Sequence, residues 1–250
     1  MPDPVGLDLA AAVMLQGMTA HFLCQDTFPL IEGQRCLIHA GAGGVGHLFI
    51  QMAKNCGATV FTTVSTEAKA DLARRAGADH VINYRQVDFV EAIQELAGPK
   101  PLDVVYDGVG TATFSRGMVL LRPRGMMVTF GNASGPPLPV DSRQLMRLGS
   151  LFVTRPMLWD YVATRNELER RASDLFAWIS AGALDVHIGA LSCGRSCRRP
   201  SCAGEPGNDR QDPARRATRV VSGGPISCLF PPNRPGGCPT TLTPRFWRRS

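Results

Sequence analysis

Cys36-Leu37-Ile38-His39-Ala40-Gly41-Ala42-Gly43-Gly44-Val45-Gly46 is the stretch that decides the fold. The apolar run Cys36-Leu37-Ile38 reads as a strand, the turn after it has the GxGxxG spacing at Gly41, Gly43 and Gly46, and residues 48–55 read as a helix. Each glycine then has a task. Gly41 permits the tight turn, Gly43 lets the backbone approach a pyrophosphate, and Gly46 lets helix and strand pack closely, while the helix start offers free N–H groups to the anion. Spaced glycines alone are a weak signal; a strand directly before and a helix directly after make this one a dinucleotide cradle.

Outward from the cradle, short runs rich in β-branched residues alternate with helix-like segments. Strands are expected over residues 35–40, 59–64, 80–83, 104–107, 126–130 and 151–153. Between them, residues 68–76 carry Leu72, Ala73 and Ala76 on one face and stop at Gly77, and residues 89–96 follow Asp88 as N-cap and end at Gly98-Pro99. Amphipathic helices are expected over residues 8–24 leading in and 167–180 leading out. This is the plan of an α/β protein: a doubly wound parallel sheet of Rossmann type with flanking helices.

The choice of dinucleotide is made about twenty residues after the glycines, where an acidic side chain would hold the ribose 2′-hydroxyl of NAD. Here the second strand ends Thr62-Thr63-Val64-Ser65, and Lys69 follows one helical turn on. A hydroxyl donor and an ammonium suit a 2′-phosphate, which points to NADP(H), with Glu67 as the discordant charge nearby.

Composition divides the chain. Of 250 residues with a formal charge of +6, the segment 190–250 holds eleven arginines, no lysine and three acidic residues, which leaves −2 for residues 1–189. Five of the eight cysteines, Cys193, Cys197, Cys202, Cys228 and Cys238, crowd into the same segment, whose Pro, Gly, Ser and Arg leave too few apolar residues to order it. Residues 1–189 are therefore expected to form the nucleotide-binding domain and 190–250 a disordered tail. Its cysteine spacings supply no convincing set of four zinc ligands, and no specific nucleic-acid partner is expected for its arginines. His21, His39, His47, His80 and His187 lack metal-ligand spacing, so no metal is expected. The apolar stretch near the start is interrupted by Gln16, Thr19 and His21 and has no basic region before it, so neither a membrane span nor a secretory signal is expected, and a cytoplasmic location is.

A series of motifs in order carries a resemblance: Met14-Leu15-Gln16-Gly17-Met18-Thr19-Ala20, the glycine cradle, Asp79-His80-Val81-Ile82-Asn83-Tyr84-Arg85, Val104-Val105-Tyr106-Asp107-Gly108-Val109-Gly110, Phe130-Gly131-Asn132-Ala133-Ser134-Gly135 and Ser150-Leu151-Phe152-Val153-Thr154-Arg155-Pro156. Together they resemble the zinc-independent NADPH:quinone oxidoreductases of the zeta-crystallin type, within the medium-chain dehydrogenase/reductase superfamily. The resemblance implies that Gly44, Val45 and Gly46 contact the pyrophosphate beside Gly43, that Ser65 and Lys69 form the 2′-phosphate pocket, and that Tyr84 flanks that phosphate or the adenosine. Val109, Phe130, Gly131 and Asn132 would line the nicotinamide side, with Thr19 near the ring and Arg155-Pro156 approaching it. It also implies hydride transfer from NADPH to a quinone or similar electrophilic acceptor, with no catalytic nucleophile, in an enzyme that is a homodimer in intact relatives and whose strand near Leu151 lies at the subunit contact. An enoyl or alkenal reductase, or a cofactor-binding module without turnover, are the alternatives.

By the same resemblance both ends depart from the pattern. The domain that precedes the cofactor domain in relatives is expected to be missing, with impaired turnover as the consequence. After Gly189 a reading of legal codons one base later restores a family-like run beginning Arg-Tyr-Pro-Ala-Ala-Glu-Ala-Ala, so a frameshift is expected there.

Overall fold

Residues 5–188 are described by the structure, a computed structural model; the expected tail and the frameshift lie outside them. Six strands, β1 (Arg35–His39), β2 (Thr59–Val64), β3 (His80–Asn83), β4 (Leu102–Asp107), β5 (Leu121–Thr129) and β6 (Phe152–Thr154), form one sheet in the order β3-β2-β1-β4-β5-β6. Every pairing is parallel, from Arg35 opposite Thr59 to Val128 opposite Thr154. This is the doubly wound Rossmann order, which reverses direction beside β1.

Helices cover both faces: α1 (Leu7–Phe22), α2 (Gly44–Asn55), α3 (Glu67–Arg75), α4 (Phe89–Ala97), α5 (Phe114–Met118), α6 (Ser142–Gly149), α7 (Leu158–Tyr161) and α8 (Arg165–Ser180). The two-residue period of a strand makes two cores from one sheet. Cys36, Ile38 and Val60 pack with Val13, Phe22, Phe49 and Ala73 on one side. Their chain neighbours Leu37 and Phe61 join Val105, Ile93 and Phe114 on the other. Cys24 and Cys36, both fully buried free thiols, belong to the first core.

Local signals act where expected. The Asp88 carboxylate accepts from Val90 N at 2.8 Å and starts α4, and Gly77 and Gly98 take positive φ at the ends of α3 and α4. Four differences have physical causes. β1 stops at His39 because Ala40 adopts φ 58°, the turn into the glycines. β5 begins at Leu121 rather than Met126; its pairing with β4 jumps from Leu102–Leu121 to Val104–Met126, and Arg124 at φ 61° absorbs the extra residues. The short helices α5, α6 and α7 were not expected; α6 buries none of its residues and so leaves no periodic apolar stripe to read. Finally, α1 runs on through a π-helical turn, Leu23–Thr27.

Together α1 and this turn make 21 continuous residues, Leu7–Thr27, within which an 18-residue window has a mean hydropathy of 1.4, so that by length and composition alone the segment passes for a membrane span despite its polar interruptions. Half of that window is buried in the protein, where α1 packs on α2 and α8. The polar interruptions find partners there. His21 lies 3.0 Å from Asp174 of α8, and Asp26 in the π-turn accepts from Arg171 at 2.7 Å and Arg170 at 2.8 Å. Arg171 is 1 % exposed, so Asp26 neutralises a buried cation.

Candidate cofactor site

The chain order of the strands reverses beside β1, and the crevice at the carboxyl ends of β1 and β4 is where such sheets take ligands. Tight backbone geometry shapes its floor. Gly43 N donates to Ala40 O at 2.9 Å, and Gly41 N donates to Thr63 O at 3.2 Å. A Cβ on Gly46 would stand 2.8 Å from Gly41 Cα and closer still to Ala40 O, backbone on backbone with nothing able to give way. On Gly41 it would collide with the Thr62 hydroxyl, which donates to Ile38 O at 2.6 Å. Gly43 is the N-cap of α2 with no side chain to accept from the helix, so the N–H groups of Gly44, Val45 and Gly46 in the first turn face the crevice end unpaired within the helix.

Three cavities open along this edge and share walls. One of 150 Å³ is bounded by Gly43, Ser65, Lys69 and Tyr84 together with Ala40 and Thr63. It brings four of the expected cofactor residues to one place. Ser65 is half-buried at the end of β2, Lys69 reaches from the first turn of α3, and Tyr84 is 52 % exposed just after β3. Thr66 caps α3 by accepting from Lys69 N at 3.3 Å, which fixes the lysine's position on the helix. Glu67 is turned to Arg74, 2.7 Å away, so its charge is neutralised within α3.

A second cavity, of 520 Å³, continues past Thr63 and Tyr84 to Arg85, Phe89, Val109 and Arg116. Arg116 stacks over the Phe89 ring at 4.7 Å and also pairs with Asp88. His39 lies beneath, bonded through Nδ1 to Thr63 Oγ1 at 2.9 Å, and burial pushes its imidazole down to about 4, against the opposing pull of Asp107. The third, of 230 Å³, lies on the α1 side of the cradle between Gln16, Gly43, Gly44, His47 and His187.

Phe130, Gly131 and Asn132 do not line these three cavities; they form the loop after β5, beside Val109. Ala133 N donates to Gly108 O at 3.3 Å and Ser134 N to Val109 O at 2.7 Å, so the two loops are laced together. A Cβ on Gly131 would strike the Gly108 backbone, and Arg155 donates to Gly131 O at 3.1 Å. Thr19 also stands outside the three cavities, its hydroxyl donating to Leu15 O of its own helix at 2.7 Å. Sequence reasoning missed Asp107 as an organiser. Its buried carboxylate accepts from Val109 N at 2.7 Å, Gly110 N at 3.0 Å and Thr113 Oγ1 at 2.9 Å, holding the β4 loop open toward the crevice. An aspartate closing an apolar run just before Gly-Val-Gly is the signal that could have found it.

Residues 44–177 match the family described as zinc-binding dehydrogenase. The chain belongs to that family. Among relatives of this chain, 2-haloacrylate reductase of a Burkholderia species is 45% identical over 190 residues, covering 74% of this chain and 57% of that protein. Quinone oxidoreductase 1 of Escherichia coli K12 is 43% identical over 188 residues, 75% of this chain and 58% of the relative. The crystal structure of Escherichia coli quinone oxidoreductase complexed with NADPH superposes with a TM-score of 0.73 at 42% identity, covering 76% of this chain and 58% of that one. The chain thus spans somewhat more than half the length of these relatives. The family description includes zinc, but among the described residues no three His, Cys, Asp or Glu side chains are grouped to hold a metal, so the donor set here does not fit one.

Proposed function

We propose that the cleft binds NADP(H) and that the chain serves as the nucleotide-binding part of an oxidoreductase acting on a quinone or similar electrophilic acceptor. One observation carries the cofactor: the uncapped start of α2, the Ser65 hydroxyl, the Lys69 ammonium and the Tyr84 ring bound a single cavity with no carboxylate in its wall. In this reading the amides of Gly44, Val45 and Gly46 hold the pyrophosphate, Ser65 and Lys69 hold the 2′-phosphate with Tyr84 beside it, and the 520 Å³ cavity between Phe89 and Val109 takes the adenosine. In the same reading the Phe130–Asn132 loop, anchored by Arg155, supports the nicotinamide side, with Thr19 near the ring.

When bound, the nicotinamide supplies hydride to the acceptor; the side chains around it orient and exclude water rather than form covalent bonds. The relative named 2-haloacrylate reductase, at 45% identity, favours an α,β-unsaturated acid or ketone as the second candidate acceptor. With this reading go a domain boundary near residue 189, a cytosolic location, and a second copy of the chain as partner along β6.

Titrating the full chain with NADPH and with NADH, followed by nicotinamide fluorescence, tests the cofactor. NADPH should bind at least about tenfold more tightly, and Lys69→Ala should erode that preference by about tenfold, the worth of one charge-assisted hydrogen bond. If neither dinucleotide binds, or if NADH is preferred, the reading fails.

A further inference from the structure

His47 is 7 % exposed, and among the described residues neither of its ring nitrogens has a hydrogen-bond partner. Leaving a buried polar ring unpaired is destabilising, so the position invites a ligand. His47 belongs to the first turn of α2, where its own N–H donates to Gly43 O at 2.9 Å. His47 lines the 230 Å³ cavity together with Gly43 and Gly44.

What covers this ring is an extended strap laid along α2. His47, Gln51 and Asn55, four residues apart on one face of the helix, meet the strap in steps of two residues. Asn55 reaches Ala183 O at 3.5 Å, and Gln51 both donates to Asp185 O at 2.9 Å and accepts from Asp185 N at 2.7 Å. The same register sets Asp185 Oδ2 3.7 Å from His47 Nε2 and the His187 ring 6.2 Å from the His47 ring. Asp185 and His187 from the strap and Arg75 from α3 are the charged or titratable groups acting on His47, and Gln16 of α1 is the neutral polar side chain across the cavity.

We propose that His47 is a cationic member of the phosphate cradle: the α2 amino terminus and a protonated His47 together hold the pyrophosphate of the dinucleotide, so that cofactor binding takes up a proton. This rests on the reading of the cleft as a dinucleotide site. Without an anion, burial holds the imidazole below its ordinary range, and Asp185, its side chain 85 % exposed, opposes that only partly. Two phosphate charges arriving at the helix terminus favour the imidazolium. Coupling is reciprocal, so a proton on His47 strengthens the anion's hold by the factor by which the anion strengthens the proton's. The bound complex has the higher His47 pKa; affinity is therefore greatest at acid pH and falls as pH rises through that value.

The test is NADPH titration of the full chain between pH 5.5 and 8, for the wild type, His47→Leu, His47→Gln and His187→Ala. The ratio of wild-type to His47→Leu affinity should grow by about threefold or more toward acid pH, a coupling of ordinary size. His47→Gln, which keeps polarity without charge, should behave as His47→Leu does, whereas His187→Ala should retain the growth. The 2′-phosphate also titrates near pH 6, but it does so equally for every variant and cancels in the ratio. A ratio that stays flat, or a pH dependence lost in His187→Ala and kept in His47→Leu, overturns the role of His47 while leaving the cofactor reading intact. Absence of NADPH binding at every pH overturns both.

Discussion

Gly46 is the residue where the fold and the proposed dinucleotide site depend on each other most closely. The alanine methyl would fall on the carbonyl of Ala40 and the Cα of Gly41, so the helix must move away from the strand to admit it. We expect Gly46→Ala to lower stability by about 1–3 kcal/mol, the usual cost of overpacking, and to weaken NADPH binding more than Lys69→Ala does, because the whole row of amides shifts. Thermal melts alongside titrations check both, and a variant with wild-type affinity would contradict it. Residues of this kind were legible in the sequence because their chemistry is local: a glycine at a fixed offset between strand and helix has few other reasons to be there. That Ser65, Lys69 and Tyr84 converge on one cavity was legible for a related reason, since each stands just after a strand or in the first turn of the helix that follows, and parallel strands carry their carboxyl ends to one edge. Asp107 and His47 were not. Asp107 organises a loop through three donors, and His47 gains its meaning from a strap that joins it from 138 positions along the chain, a contact between His47 and Asp185 that no local pattern encodes.

Among the elements, the pair α1 and α8 depends most on long-range polar contacts. Asp26 of the π-turn is the carboxylate partner of Arg171, whose side chain is nearly inaccessible, and it also holds the exposed Arg170. Asp26→Ala should cost about 3 kcal/mol, because it strands a guanidinium away from water. The double variant Asp26→Ala with Arg171→Met should recover most of that loss, since no unpaired charge is left behind. Chemical denaturation of the two variants decides it; equal losses in both would mean that the ion pair is not what docks α8. The long helices themselves were readable from their apolar period to within a few residues. The π-turn, the β5 irregularity and the outward-facing α6 were not, because each is settled by contacts made after the chain has collapsed rather than by neighbours in sequence.

On the scale of the molecule, the sheet ends in two edges, β3 and β6, and the β6 edge is the more apolar. Phe152 is 56 % exposed in β6, and Trp159 nearby is 67 % exposed. An edge that pairs with no further strand among the described residues and carries large apolar side chains favours pairing with another strand. If a second copy covers β6, sedimentation at micromolar concentration should show a dimer that Phe152→Lys converts to monomer without lowering the melting temperature. A wild type that sediments as a monomer would remove the partner from the proposal. Burial has one more outcome for a protein proposed to act on electrophilic acceptors. A quinone adds to thiolates, not thiols, and the interior that closes over Cys24 and Cys36 pushes both groups far above the range in which they ionise. Two potential nucleophiles are thereby kept inert by the packing of the first core alone, and unfolding would be what arms them.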